Sequence, residues 1–202
     1  MTTSNNQKTL KIVQLAILFA LVVVLQSISS IGIVNICLCL VPITLGATLL
    51  GPKSGAALGF MFGVLALFWG IVGKDVFTYY LFTANPFMTI IICIVKGTLC
   101  GFVPGIVYKL LKNKNELVAS IIASVLAPIV NTGIFALGCL IIKNDVIEVT
   151  LSLIPTADVS NFFLLLFGTL ITVNFFVEFI VNVVFSPILY KLTSIINKRV
   201  GA

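Results

Sequence analysis

Long apolar runs, broken at short intervals by polar or Gly/Pro-containing segments, set the pattern of this chain. They lie near 9–30, 36–50, 55–73, 87–111, 117–142 and 161–190. A helix that crosses a bilayer needs roughly 20 mostly apolar residues, so the spacing predicts six membrane helices. The first run is longer than a signal-peptide core, has five more behind it and shows no clear small-x-small cleavage site, so it reads as the first membrane helix. The second is short and carries Pro42, which predicts an irregular start. The last is long enough to tilt or to extend into water, and Pro187 is expected to kink or end its inner turn.

Composition agrees with the pattern. Of 202 residues, 60% are hydrophobic and 9% are charged, with a mean hydropathy of +1.24. So few charged side chains cannot cover the surface of a soluble domain of this size. The expected fold class is all-α, a polytopic membrane protein forming a single six-helix unit over residues 1–202, without room for a separate catalytic domain.

The net charge of +6 falls in short basic clusters beside apolar runs, which reads as a topology signal rather than a nucleic-acid footprint. With the amino terminus inside, the inner segments hold Lys8, Lys11, Lys53, Lys109, Lys112, Lys114, Lys191, Lys198 and Arg199, and the outer ones only Lys74 and Lys143. Both termini are therefore expected in the cytoplasm, with Asp75, Asp145, Glu148 and Asp158 outside. The outer segments from Lys74 to Pro86 and from Lys143 to Ser160 read as long loops of the kind that cover binding sites.

Polar residues inside the apolar runs are the candidate chemistry. The sixth run carries Asn174, Glu178 and Asn182 at i, i+4 and i+8, and a buried carboxylate in lipid must be paired, protonated or turned toward water. Lys96 in the fourth run is an obvious partner, so two accounts stand side by side: a Lys96–Glu178 pair that locks the bundle, or a pair of ligand-binding groups. Asn131 and Thr132, after Pro128, add polar groups at similar depth. Toward the outer face, Trp69, Tyr79, Tyr80 and Asn85 could rim a pocket for a small, partly apolar, hydrogen-bonding solute. An interfacial aromatic belt explains the tyrosines, and Trp69, equally well. Ala16 and Ala20 lie one turn apart on one helix face, where another helix can approach closely. That face is either an internal packing seam or a docking surface.

Enzyme signatures are absent. There is no histidine, hence no imidazole for a metal site or a hydrolase, no aspartate-rich cluster, and no Gly-rich loop with P-loop spacing. Gly51-Pro52-Lys53-Ser54-Gly55 reads as a turn between helices. Cys37, Cys39, Cys93, Cys100 and Cys139 form no C-x-x-C pair and read as small apolar packing residues.

Taken together, the six runs with both ends inside, the A-x-x-x-A of Ala16 and Ala20, the segment Pro42 to Gly59 around the inner turn, and the Lys96-Gly97-x-x-x-Gly101 run ahead of Tyr108 resemble a known family. It is the substrate-binding S components of bacterial energy-coupling-factor (ECF) vitamin transporters, and the resemblance covers most of the chain. It implies a subunit of the bacterial plasma membrane that binds a vitamin or related micronutrient from outside and docks on a membrane coupling subunit driven by two cytoplasmic ATPases. It implies no cofactor of its own, ATP being used by the partners, and no nucleic-acid partner. Docking is carried over to Ala16 and Ala20. The pocket is carried over by location to Asn85, Lys96, Asn131, Asn174 and Glu178, with Trp69 at its rim. The turn followed by Asn85-Pro86 is most similar to pantothenate-type members, with riboflavin, folate or a thiamine precursor as other solutes. The missing histidines separate the chain from nickel and cobalt members. A structural or sensory membrane protein is the alternative from another class, and a membrane enzyme a distant third.

Overall fold

The computed structural model describes residues 2–28, 30–31, 34–35 and 38–200. In chain order the elements are α1 (Thr2–Ile28), a two-residue antiparallel pairing of β1 (Ser30–Ile31) with β2 (Val34–Asn35), α2 (Leu40–Leu49), α3 (Pro52–Ile71), α4 (Val76–Ala84), α5 (Pro86–Leu111), α6 (Glu116–Ile141), α7 (Lys143–Leu153), α8 (Phe162–Leu164), a π-helical stretch Leu165–Ile171, and α9 (Thr172–Val200). Among the described residues, five helical spans are long and apolar enough to cross a membrane: Lys8–Ile28, Pro52–Ile71, Pro86–Leu111, Glu116–Ile141 and Thr172–Ile196. Their outward surfaces carry Ile12, Phe87, Leu110 and Ile141, each at least two-thirds exposed, a coat suited to lipid.

The second apolar run yields a ten-residue helix, α2, which rises only about 15 Å. Pro42 sits in its first turn, where a missing N–H removes no helical hydrogen bond. Thr48 at the other end of α2 lies with its hydroxyl 3.4 Å from that of Thr193 in α9. The last residues of α1 lie elsewhere: the Lys74 ammonium, just past α3, donates to the Ser27 carbonyl. So the ends of α1 and α3 lie together, and α2 ends beside α9.

Both segments read as outer loops turn out to be largely helical. Asp75 caps α4 by accepting from the Thr78 N–H at 3.2 Å and the Thr78 hydroxyl at 2.8 Å. Asn85 caps α5 by accepting from the Met88 N–H at 3.2 Å, with Pro86 at the first helical position. Such caps satisfy backbone donors that would otherwise be orphaned at a helix start, and they let a short helix form where apolar length alone gives no signal. The last run is also not one uniform helix, since the π-helical stretch precedes α9 and the Thr172 hydroxyl turns back to the Phe167 carbonyl.

Pro187 does not end its helix: α9 continues to Val200. The proline leaves the Val183 carbonyl without its usual backbone donor, and the Ser186 hydroxyl donates to that oxygen instead at 2.8 Å. Cys39, Cys93, Cys100 and Cys139 are buried free thiols, and Cys37 lies outside the described residues.

The most extensive helix contact joins α3 to α5. Gly55, Gly59 and Gly63 on α3 face Gly101, Gly97 and the Cys93 backbone on α5, so closely that a methyl group at any of these glycines would collide with backbone across the contact. Replacing Gly59 with valine is therefore expected to cost on the order of 1–3 kcal/mol through overpacking. The loss should register as a lower thermal transition of the detergent-solubilised protein. Valine at the exposed Ala57, two residues away, should leave the transition unchanged.

Candidate functional site

Between α1, α3, α4, α5, α6 and the π-to-α9 junction lies a cavity of about 170 Å³. Its polar lining converges from separate elements: Gln26 from α1, Asp75 and Thr78 from the start of α4, Lys96 from α5, Asn131 and Thr132 from α6, and Asn174 and Glu178 from α9. Its apolar lining comprises Phe62 and Ala66 of α3, Phe77, Phe135, Ile154, Val173, and Leu170 and Ile171 of the π-helical stretch. A mostly apolar hollow with a few convergent polar groups is the form that small-molecule sites take.

Helical spacing explains why these groups meet. Asn174 and Glu178 stand one turn apart on α9, and Asn182 one turn further is fully buried and donates to the Glu178 carbonyl at 2.8 Å. Across the contact with α6, Asn131 donates its amide to the Glu178 carboxyl Oε2 at 3.3 Å. That leaves Asn131 Oδ1 buried with no hydrogen-bond partner, although buried polar atoms are nearly always satisfied. On α5 the Lys96 ammonium lies 5.1 Å from the centre of the Phe135 ring, within cation–π range. Phe77 meets the same ring edge-on, with centroids 6.1 Å apart.

Of the residues singled out in the sequence, Lys96, Asn131, Asn174 and Glu178 are brought together in this lining, and Asn85 and Trp69 are not. Asn85 uses its side-chain oxygen to cap α5, and its amide donates to Asp145 Oδ2 of α7 at 2.8 Å. It ties the start of α5 to α7. Trp69 lies under the Lys74 ammonium, 4.3 Å from the ring centre, and packs edge-on against Phe68. Tyr79 and Tyr80 are exposed and also lie outside the lining. Ala16 and Ala20 are exposed on the outward side of α1, whereas its buried seam is Leu18, Val22 and Gln26. The internal-seam account of the alanines therefore does not hold.

Gln26, Asp75 and Thr78 were not singled out in the sequence. Gln26 had a readable signal, a lone amide deep in an apolar run. It is 2% exposed and accepts from the Cys39 thiol at 3.2 Å. Asp75 and Thr78 gain their position from the capping turn of α4, which apolar periodicity does not report. Among the described residues no group of three or more His, Cys, Asp or Glu side chains could hold a metal ion.

With this geometry in view, comparison with known proteins adds a family-level match. A family model described as the substrate-specific component of ECF transporters matches residues 10–190. No curated protein matches the chain.

Because Asn85 caps a helix and bonds Asp145, Asn85→Ala is expected to cost about 1–2 kcal/mol of stability. A drop in the thermal transition of the purified protein checks this, and Asn85→Ser, which keeps a capping oxygen without setting a second carboxylate against Asp145, should recover part of the loss.

Proposed function

Since this multi-pass membrane protein belongs to the substrate-specific components of ECF transporters, substrate-binding subunits rather than enzymes, we propose that it captures a vitamin-class solute in the Lys96–Asn131–Asn174–Glu178 cavity. Subunits of this family bind small molecules and work with a membrane coupling subunit and ATPases. The observation that carries the reading is the convergence of four ionisable or amide side chains from α5, α6 and α9 on one hollow. Groups of this kind inside a membrane bundle are costly to bury and mark solute pathways. In this reading Lys96 and Glu178 act on the solute as well as on the bundle.

The same reading extends to topology. The ends of α1 and α3 lying together, with α2 between these helices in the chain, support six crossings with α2 as the helical part of the second. The lysine distribution supports a bacterial plasma-membrane protein with both termini in the cytoplasm and the cavity opening outward. Ala16 and Ala20, exposed on α1, form the docking face for the coupling subunit, two small side chains that let a partner helix approach closely. The whole chain acts as one solute-binding unit without a cofactor, and two cytoplasmic ATPases supply the work.

The pantothenate-type resemblance drew on Asn85-Pro86, and Asn85 is occupied as a cap and a tie to Asp145. Support for a pantothenate-like carboxylate then rests on Lys96, the one cationic side chain of the lining. Riboflavin and folate are large for a hollow of about 170 Å³, and a thiamine precursor is closer in size.

Two outcomes test the proposal. The chain alone, reconstituted in vesicles, is expected to retain a small molecule detectable by native mass spectrometry and to show no uptake at a useful rate. Sustained uptake by the isolated chain would sink the subunit reading. Replacing Ala16 and Ala20 together with tryptophan is expected to abolish co-purification with the coupling subunit while solute binding survives. If binding is lost and assembly persists, α1 serves the cavity and not the partner.

A further inference from the structure

Away from the solute cavity, and without resting on the reading of it, we infer that a groove between the α2–α3 turn and the end of α5 binds the phosphate-bearing headgroup of an anionic membrane lipid.

The groove follows from the same close packing that joins α3 to α5. Gly105 of α5 lies against Pro52, where a methyl group on the glycine would come within 2.6 Å of the proline Cα. That contact sets Lys53, the next residue of α3, beside Lys109 and Lys112 at the end of α5. The hollow among them holds about 400 Å³ and is open on one side. Gly51 turns the chain into α3 with φ of 96°, and the space where its side chain would stand is open.

Charge gives the ligand its sign. Among the described residues the lining holds three ammonium groups, Lys53, Lys109 and Lys112, and no carboxylate. Glu116, the acid nearest to them in sequence, lies outside the lining and accepts from the Tyr108 hydroxyl at 3.1 Å. The start of α3 adds to the positive field, because Gly51 has no side chain to cap it and a helix start carries partial positive charge. Three like charges around one hollow repel each other, and an anion among them reverses that repulsion. Lysine is a common phosphate binder, and basic pockets between membrane helices bind anionic headgroups.

Depth and lining name the source of the phosphate. Lys53 is the second residue of the span Pro52–Ile71, while Lys109 and Lys112 bracket the end of the span Pro86–Leu111. Their flexible stems carry the ammonium groups to the membrane surface, the level at which lipid phosphates lie. Beside them, half-buried Leu49 and Leu50 of α2 give the groove an apolar side. A lipid offers both a phosphate and an apolar body, whereas a free phosphate or an acidic peptide leaves that side unmatched. Retention of lysines at the inner ends of spans accounts for their presence, but not for their meeting from two helices around one hollow.

The test uses the full chain, stripped of lipid in detergent and titrated with phosphatidylglycerol, phosphatidylcholine or inorganic phosphate under native mass spectrometry. We expect one phosphatidylglycerol to bind roughly tenfold or more tighter than phosphatidylcholine, and inorganic phosphate to bind far more weakly than either. Replacing Lys53, Lys109 and Lys112 together with glutamine should weaken phosphatidylglycerol roughly tenfold to a hundredfold. The same change at Lys8, Lys114 and Lys191, which lie outside the lining, should leave it unaltered. A phosphatidylglycerol with a photoreactive headgroup, in vesicles holding the native chain, should label residues 47–53 and 105–112, a readout that needs no variant to fold. Equal loss in the two triple variants, or labelling confined to other segments, overturns the inference and leaves the lysines as topology signals. Equal binding of the two lipids overturns it too and leaves the groove to an acidic segment of a partner protein. Inorganic phosphate binding as tightly as phosphatidylglycerol overturns the lipid as the source and assigns the groove to a soluble anion. Each of these outcomes leaves the solute-binding reading of the other cavity where it stood.

Discussion

The close approach of α3 and α5 is the constraint on which the rest of the bundle depends. In lipid the hydrophobic effect does not drive helices together, so association rests on packing and on backbones that can touch. Gly55, Gly59 and Gly63 meet Gly101, Gly97 and Cys93 with no room for a side chain between them. That contact fixes the register of both cavity walls it supports. Phe62 adjoins Gly63 and Ala66 follows it by three residues on α3, and Lys96 adjoins Gly97 on α5. Sliding either helix by a residue would carry these side chains away from the hollow and drive Cβ atoms into carbonyl groups.

Against this rigid wall stands a polar one. Glu178 and Asn182 are almost fully buried on α9 and are knitted to each other and to Asn131 of α6. Burying such groups costs several kcal/mol unless partners replace water, and the replacement is incomplete, since Asn131 Oδ1 and Asn182 Oδ1 have no partner. The π-helical stretch before α9 has a related effect. It widens the helix where Leu170 and Ile171 enter the lining, and such distortions cluster at functional sites.

The long helices and the membrane class were legible because apolar length is a strong, local signal. The membrane-embedded polar side chains were legible for the converse reason: Lys96, Asn131, Asn174 and Glu178 interrupt apolar runs, and their cost in lipid demands an inward position. What failed to show was anything decided by hydrogen bonding at helix ends. The helices α4 and α7 are too short to stand out by periodicity, and Asp75 and Asn85 looked like loop polar groups when their oxygens were committed to backbone donors. Asn85 looked like a pocket residue because type and location alone do not distinguish a cap from a ligand-binding amide. Pro187 reads as a kink or an end of its helix because the rescue by Ser186 depends on one hydroxyl rotamer. The family was legible from motifs, and the match over residues 10–190 agrees with them.

One helix has two audiences. The inward side of α1 presents Gln26 to the cavity, its end is held to the α3–α4 connection through Ser27 and Lys74, and its outward side leaves Ala16 and Ala20 uncovered. A wall shared in this way obeys thermodynamic reciprocity: whatever a neighbour gains or loses by gripping the outside of α1 in the filled state, the cargo gains or loses in equal measure. A neighbour that preferred the empty form would, by the same free energy, weaken the binding of whatever occupies the cavity.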